Sequence, residues 1–172
     1  DLTSANWYLD TTTTAAQANY GSVFFDISDG TNITIDRSSS YLNTDGVDYV
    51  TYAWANSGPY AFGSYEGSGG ATTAPFINTG FFPNTVITKS IDSTSGWQLY
   101  SAKATTSNPR AYLSLQATAA LSNLSEPFDI YSNGFKSYVA FDPNVAETYI
   151  YMALGGRPIQ GNGKDTSQGR AK

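Results

Sequence analysis

Short runs of strand-forming residues, each closed by a turn signal within about eight residues, leave this chain few folds to choose from. Residues 21–27, 32–35, 49–55, 85–90, 97–102, 112–116, 135–141 and 149–154 are rich in Val, Ile, Thr, Tyr and Phe. Between and beside them stand Asp29-Gly30, Asp45-Gly46, Ser57-Gly58-Pro59, the run from Gly67 to Gly70, Ser95-Gly96, Asn108-Pro109 and Asn133-Gly134, at hairpin-like spacing. No segment sustains a helical period, and the one helix-tolerant stretch, 117–123, is short. Half-buried sheets must cover one another's apolar faces, so the expectation is an all-β antiparallel sandwich of about 8 to 12 strands. At 172 residues the chain is long enough for one such domain with a real core, spanning 1–160.

The sequence also echoes itself. Trp7-Tyr8-Leu9 answers Trp97-Gln98-Leu99, and Phe25-Asp26-Ile27 answers Phe128-Asp129-Ile130. The residues from Tyr49 to Ala55 (YVTYAWA) answer those from Tyr149 to Gly155 (YIYMALG). The order is kept, which points to an internal duplication with half-repeats over about 1–58 and 85–158 joined by a Gly-rich segment. In the last pair Val50, Tyr52, Trp54 and Ile150, Met152, Leu154 read as the inward face, with Ala53 and Ala153 on the other. Trp7 and Trp97 read as core as well.

Composition removes whole classes of chemistry. With no Cys and no His, the chain has no thiol nucleophile, imidazole base or disulfide, and lacks the usual transition-metal ligands. The formal charge of −5 speaks against nucleic acid as a partner. It is unevenly spread: residues 1–58 hold seven acids and one base, net −6, and residues 59–172 hold seven acids and eight bases, net +1. No apolar run approaches the roughly 18 residues that a spanning helix needs, so membrane insertion is not expected. Residues 161–172 form an extended polar tail, in which Lys164, Arg170 and Lys172 are candidates for an electrostatic strap onto an acidic neighbour, against the plainer reading of a solvated tail.

Several motifs occur in a fixed order: Gly63-Ser64-Tyr65-Glu66-Gly67-Ser68-Gly69-Gly70, then Pro75-Phe76-Ile77-Asn78-Thr79-Gly80-Phe81-Phe82-Pro83, Asp92-Ser93-Thr94-Ser95-Gly96-Trp97, Ser132-Asn133-Gly134-Phe135-Lys136 and the stretch from Thr148 to Ala153. Together they resemble a domain near the C-terminus of tail-fibre-like and other virion proteins of tailed bacteriophages, notably marine and cyanobacterial ones. The resemblance implies a lectin-like or jelly-roll-like β-sandwich and a non-enzymatic virion structural protein on the extracellular particle surface. A tail fibre or other host-facing appendage is the leading expectation. A capsid decoration protein clamping shell subunits is the alternative, and a tail-associated glycan-degrading enzyme a remote one. Implied partners are other virion proteins, further copies of the chain in a homo-oligomer, and a bacterial surface glycan.

The residues themselves narrow the site. Glycan cleavage would need two carboxylates across one groove, and Glu66, Glu126, Glu147, Asp26 and Asp129 supply the side chains without a spacing that unites any two. Asp26 and Asp129, beside turns, read as caps of backbone N–H groups, and no catalytic residue is assigned. Asn43, Asp45 and Asp48 around Gly46 are a weak calcium candidate lacking the closing Glu, and a plain turn is the favoured reading. No metal or other cofactor is assigned, and the glycine run lacks the Lys-Ser/Thr and following helix of a phosphate loop. Tyr60, Phe62, Tyr65, Phe81 and Phe82, on Gly/Pro-rich connections, are the candidates for contact with a glycan or partner, or for packing over the sandwich edge.

Overall fold

The structure, a computed structural model, describes residues 7–19, 25–26, 31–35, 43–103, 111–118, 120, 122–123, 128–138 and 140–155. Among them the chain forms thirteen strands and no helix. Four are two-residue strands near the N-terminus: β1 (Trp7–Tyr8), β2 (Ala18–Asn19), β3 (Phe25–Asp26) and β4 (Thr34–Ile35). The body is β5 (Tyr60–Glu66), β6 (Phe76–Asn78), β7 (Pro83–Ser90), β8 (Gln98–Ser101), β9 (Ala111–Ser114), β10 (Ser122–Asn123), β11 (Phe128–Tyr131), β12 (Gly134–Ser137) and β13 (Thr148–Gly155).

All pairings are antiparallel. A six-stranded sheet runs β10-β9-β8-β7-β13-β5, and a three-stranded sheet runs β11-β12-β6. Val, Ile, Thr and Tyr dominate the long central strands because branched and ring side chains pack well on a pleated surface. The core lies between the two sheets. Ala61, Val86, Tyr100 and Ala153 come from the large sheet, and Ile77, Phe128, Ile130 and Phe135 from the small one, joined by Phe81. Aromatic rings bridge the layers: Phe128 stacks on Tyr100 with centroids 3.8 Å apart and on Phe135 at 5.4 Å, while Phe135 meets Tyr151 edge-on at 5.4 Å. The expected all-β, antiparallel sandwich is therefore what forms.

The structure corrects several expectations. Residues 49–55 are not a strand, and Val50, Tyr52 and Trp54 are 78%, 75% and 51% exposed where an inward face was expected. The clearest pair of repeated segments thus differs in conformation. In β13 the buried alternation is Tyr149 and Ala153 with Tyr151 packed beside them, the opposite of the expected Ile150, Met152 and Leu154. The tyrosines can enter the core because their hydroxyls reach acceptors. Tyr149 donates to Asp142 Oδ1 at 2.6 Å, and Tyr65, stacked on Tyr149, donates to the Pro143 carbonyl at 2.8 Å. Desolvation, with nearby tyrosines and Asp142, holds the Tyr65 hydroxyl protonated far above its ordinary range. Ala153 is fully buried between Ala61 and Val86, its partners in the register. Phe81 closes the end of β13 by laying its ring over Gly155, where an added Cβ would stand 2.1 Å from the ring.

The recognised motifs act as ties between distant segments. The carboxylate of Glu147 accepts the Ser90 and Ser93 hydroxyls, each at 2.7 Å, and Asp92 Oδ2 accepts the Thr148 N–H at 2.7 Å, so the loop after β7 is fastened to the start of β13. Lys89 is 1% exposed and gives its ammonium to the carbonyls of Ser90 and Ser93. The glycine run wraps buried Asn144: Ser68 N–H donates to its Oδ1 at 2.9 Å, and its Nδ2 donates to the Gly70 carbonyl at 3.2 Å. That is a packing role for the loop.

Candidate functional site

Two surfaces stand out. The first is the outer face of the small sheet. The Ser132-Asn133 turn joins β11 to β12, with Tyr131 opposite Gly134, and the Asn133 carbonyl accepts the N–H groups of Thr79 and Gly80 at 2.9 and 3.2 Å. Gly80 holds a φ of +76°, which favours glycine, and takes a further bond from its N–H to Asn78 Oδ1 at 2.9 Å. These contacts bring two of the recognised motifs side by side, Phe76 opposite Lys136 and Asn78 opposite Gly134.

Alternation then decides what faces out. Phe128, Ile130, Phe135 and Ile77 point into the core, so Asp129, Tyr131, Lys136, Phe76 and Asn78 share the outer face. Phe76 is 46% exposed and its ring lies over Gly134, where a Cβ would meet the ring at 2.7 Å and the Ile77 carbonyl at 2.1 Å. The ring meets Tyr131 edge-on at 5.5 Å. The Tyr131 and Tyr138 hydroxyls are 2.6 Å apart, Tyr131 donates to Asp129 Oδ2 at 3.3 Å, and Lys136 Nζ sits 4.8 Å from the centre of the Tyr138 ring. Desolvation, the bond with Tyr138 and the Asp129 charge keep the Tyr131 hydroxyl protonated well above its ordinary range. Asp129 is therefore a partner of a tyrosine hydroxyl on a strand and not the turn cap expected for it. The face offers one exposed aromatic ring beside hydroxyl, carboxylate, ammonium and amide groups.

The second surface is the outer face of the large sheet. The register lines up Phe62, Met152, Ile87, Leu99 and Leu113 across five strands, each partly buried. Phe62, Met152 and Ile87 of this row line a groove of about 490 Å³ together with Trp54, Trp97, Leu115 and Thr11. Trp97 Nε1 donates to the Asp10 carbonyl at 3.0 Å, which ties the N-terminal turn to the rim. Trp54 and Trp97 are thus wall residues of a groove, and Trp7 is half-buried, where all three were expected in the core.

Of the expected contact residues, Tyr60 is exposed and Phe62 lines this groove, both on strand β5 where a loop was expected. Phe81 is buried in the core, and Tyr65 and Phe82, partly buried, pack against it, which is the alternative of packing over the sandwich. Asn43, Asp45 and Asp48 lie on an exposed turn closed by Val47 N–H to the Thr44 carbonyl at 3.2 Å, with Gly46 at φ +74°. Among the described residues no three Asp or Glu side chains come together as a metal site. Lys164, Arg170 and Lys172 lie outside the described residues, as do Glu126 and the side chain of Asp26. Glu66 stands exposed on β5, and Glu147 is engaged by serines.

Sequence reasoning missed Phe76, Tyr131, Lys136 and Tyr138. A partial signal was present: Phe128-Asp129-Ile130-Tyr131 alternates apolar with polar or hydroxyl-bearing residues, and Lys136 and Tyr138, two apart, share one face of a strand.

Among the described residues no helix is long and apolar enough to cross a membrane. No curated protein and no solved structure matches the chain. Residues 1–158 match a family described as a domain of unknown function (DUF7483), and the chain belongs to that family.

Proposed function

We propose that this domain is a non-enzymatic structural and adhesive part of a tailed-phage virion, in a tail fibre or similar host-facing appendage, and that it contacts bacterial surface glycan through the outer face of β6, β12 and β11. The observation that carries this reading is the side-chain set on that face. Phe76 presents a ring on which the apolar side of a pyranose can stack. Asp129, Tyr131, Lys136 and Asn78 supply acceptors and donors for sugar hydroxyls on the same face. Contacts of this kind are individually weak, and repetition over many copies on a particle would make them effective. The phage assignment itself rests on the ordered motifs from Gly63 to Ala153.

The test is a titration of the purified domain with a panel of bacterial surface oligosaccharides, followed by amide chemical shifts. Shifts confined to Phe76, Asn78, Asp129, Tyr131 and Lys136, and a two- to tenfold weaker affinity for Phe76→Ala, are expected, since a stacked ring contributes about 0.5–1.5 kcal/mol. Phe141→Ala, an exposed ring elsewhere, should bind as the parent does. Shifts that avoid this face, or no binding across the panel, would remove the glycan assignment. Antibody labelling of particles tests the location: label on the shell would transfer the domain to capsid decoration.

A further inference from the structure

We propose that residues 49–55 form a donor strand that adds to the free edge of β5 in a second copy of this chain. The inference is independent of the glycan reading.

The acceptor is visible in the hydrogen bonding. β5 is the edge of the six-stranded sheet. Its outward backbone groups at Phe62 are engaged by one side chain, the N–H donating to Asn56 Oδ1 at 3.1 Å and the carbonyl accepting from Asn56 Nδ2 at 3.3 Å. A primary amide that donates and accepts in this way stands where a peptide group of the next strand would stand. Antiparallel pairing alternates, so Ser64 and Glu66 direct their N–H and C=O groups the same way, and among the described residues nothing bonds to them there. Such an edge is a template for another strand.

The donor's near end, Ala55, lies five residues upstream of Tyr60. The stretch YVTYAWA has the residue types of a strand, and Tyr52 and Trp54, two apart, stack at 6.1 Å with rings 20° from parallel, as same-side neighbours on a strand do. It is nevertheless unpaired and exposed. Paired with β5, Tyr52 and Trp54 would prolong the apolar row of Phe62, Met152, Ile87, Leu99 and Leu113, and small Thr51 and Ala53 would lie on the side of Tyr65. In its own chain the Asn56 side chain holds the backbone just before it a side-chain length from the edge of β5; in the acceptor copy the incoming strand displaces Asn56 and takes over its two bonds to Phe62.

The exposed surface sets the scale. At the exposures of Tyr49, Val50, Tyr52 and Trp54 (42%, 78%, 75% and 51%), these four side chains leave roughly 500 Å² of each copy in water. A reciprocal exchange can cover at most about 1,000 Å² from the donors, less whatever Val50, Tyr52 and Trp54 keep open on the outer face, against the roughly 1,000 Å² that a specific interface needs. The edge of β5 adds to that.

The experiment uses the full chain, with mass from sedimentation and amide exchange at Ser64. A dimer or larger assembly at micromolar concentration with a protected Ser64 amide is expected. Two variants should be monomeric with unchanged far-UV circular dichroism. Trp54→Glu places a charge in the donor, and Ser64→Pro deletes an N–H that points away from β13, which an edge strand tolerates. If Ser64→Pro fails to fold, Trp54→Glu decides. A monomeric parent overturns the proposal, whether Ser64 exchanges freely or is protected by closure of the segment onto its own strand. So does an oligomer that survives either folded variant.

Discussion

Phe128→Ala probes the contact between the two sheets. Phe128 is fully buried, stacked at 3.8 Å on Tyr100 of the large sheet and at 5.4 Å on Phe135 of its own. Truncation removes on the order of 130 Å² of buried apolar surface, about 3 kcal/mol at roughly 25 cal/mol per Å². The lost ring pairing adds about 1 kcal/mol, for a total near 4 kcal/mol, within the usual span for Phe→Ala in a core. That is a large share of the roughly 5–15 kcal/mol holding a domain together, and lowers Tm by about 8–16 °C. Urea unfolding followed by tryptophan fluorescence and far-UV circular dichroism measures it, with Phe128→Leu as a milder step that keeps most of the volume. Phe141→Ala, at an exposed site, should move stability by less than about 0.5 kcal/mol. A loss at Phe128 below about 1 kcal/mol, or equal to that at Phe141, would mean that the sheets do not meet through this ring.

Two further perturbations test particular ties. Burial, with the Asp142 hydrogen bond, raises the ionisation of Tyr149 far above its ordinary value of 10.0, and burial raises Tyr100 likewise. The folded state therefore keeps protons that the unfolded chain releases near pH 10, and stability present below that pH is lost above it. Burial instead lowers the Lys89 ammonium below its ordinary 10.5, against the pull of Asp142 and Glu147, so its contribution makes stability rise with pH on the approach to that value. Urea midpoints from pH 7 to 12 should climb and then drop, and Lys89→Met should abolish the climb. Phenolate absorbance at pH 10 that disappears in Tyr149→Phe or Tyr100→Phe, in a protein still folded at that pH, would refute the first part. Asn144→Ala removes both clamps on the glycine run and should cost about 2–3 kcal/mol, with faster amide exchange at Ser68; unchanged exchange would show that Asn144 does not hold the loop.

What was legible in the sequence follows from which residues carry an unambiguous local preference. β7, β8, β9, β12 and β13 coincide with expected strands to within a few residues because β-branched and ring side chains stand between clear turn signals. β5 was hidden because Gly63 and Ser64 interrupt its apolar pattern, and Gly63 faces the ring of Tyr151 across the pairing. Residues 49–55 have strand chemistry and no partner in the chain's own sheet, a matter of tertiary pairing that local composition does not encode. The inward face of β13 was misassigned because both of its faces are apolar, and the acceptor that Asp142 offers to the Tyr149 hydroxyl is what lets the ring-bearing face be buried. The outer face of the small sheet was harder still, since it depends on β6 meeting β12 across more than fifty residues of chain.

The ring of Phe81 over Gly155 has an evolutionary consequence. Strand slippage by one residue is normally punished by turning oily side chains to water, yet β13 is oily on both sides and would escape that penalty. Alignment must therefore be enforced at its end, where only a residue without a side chain fits beneath the ring. Homologous chains should let the aliphatic positions of this strand drift freely, while the ring and the glycine change together or not at all.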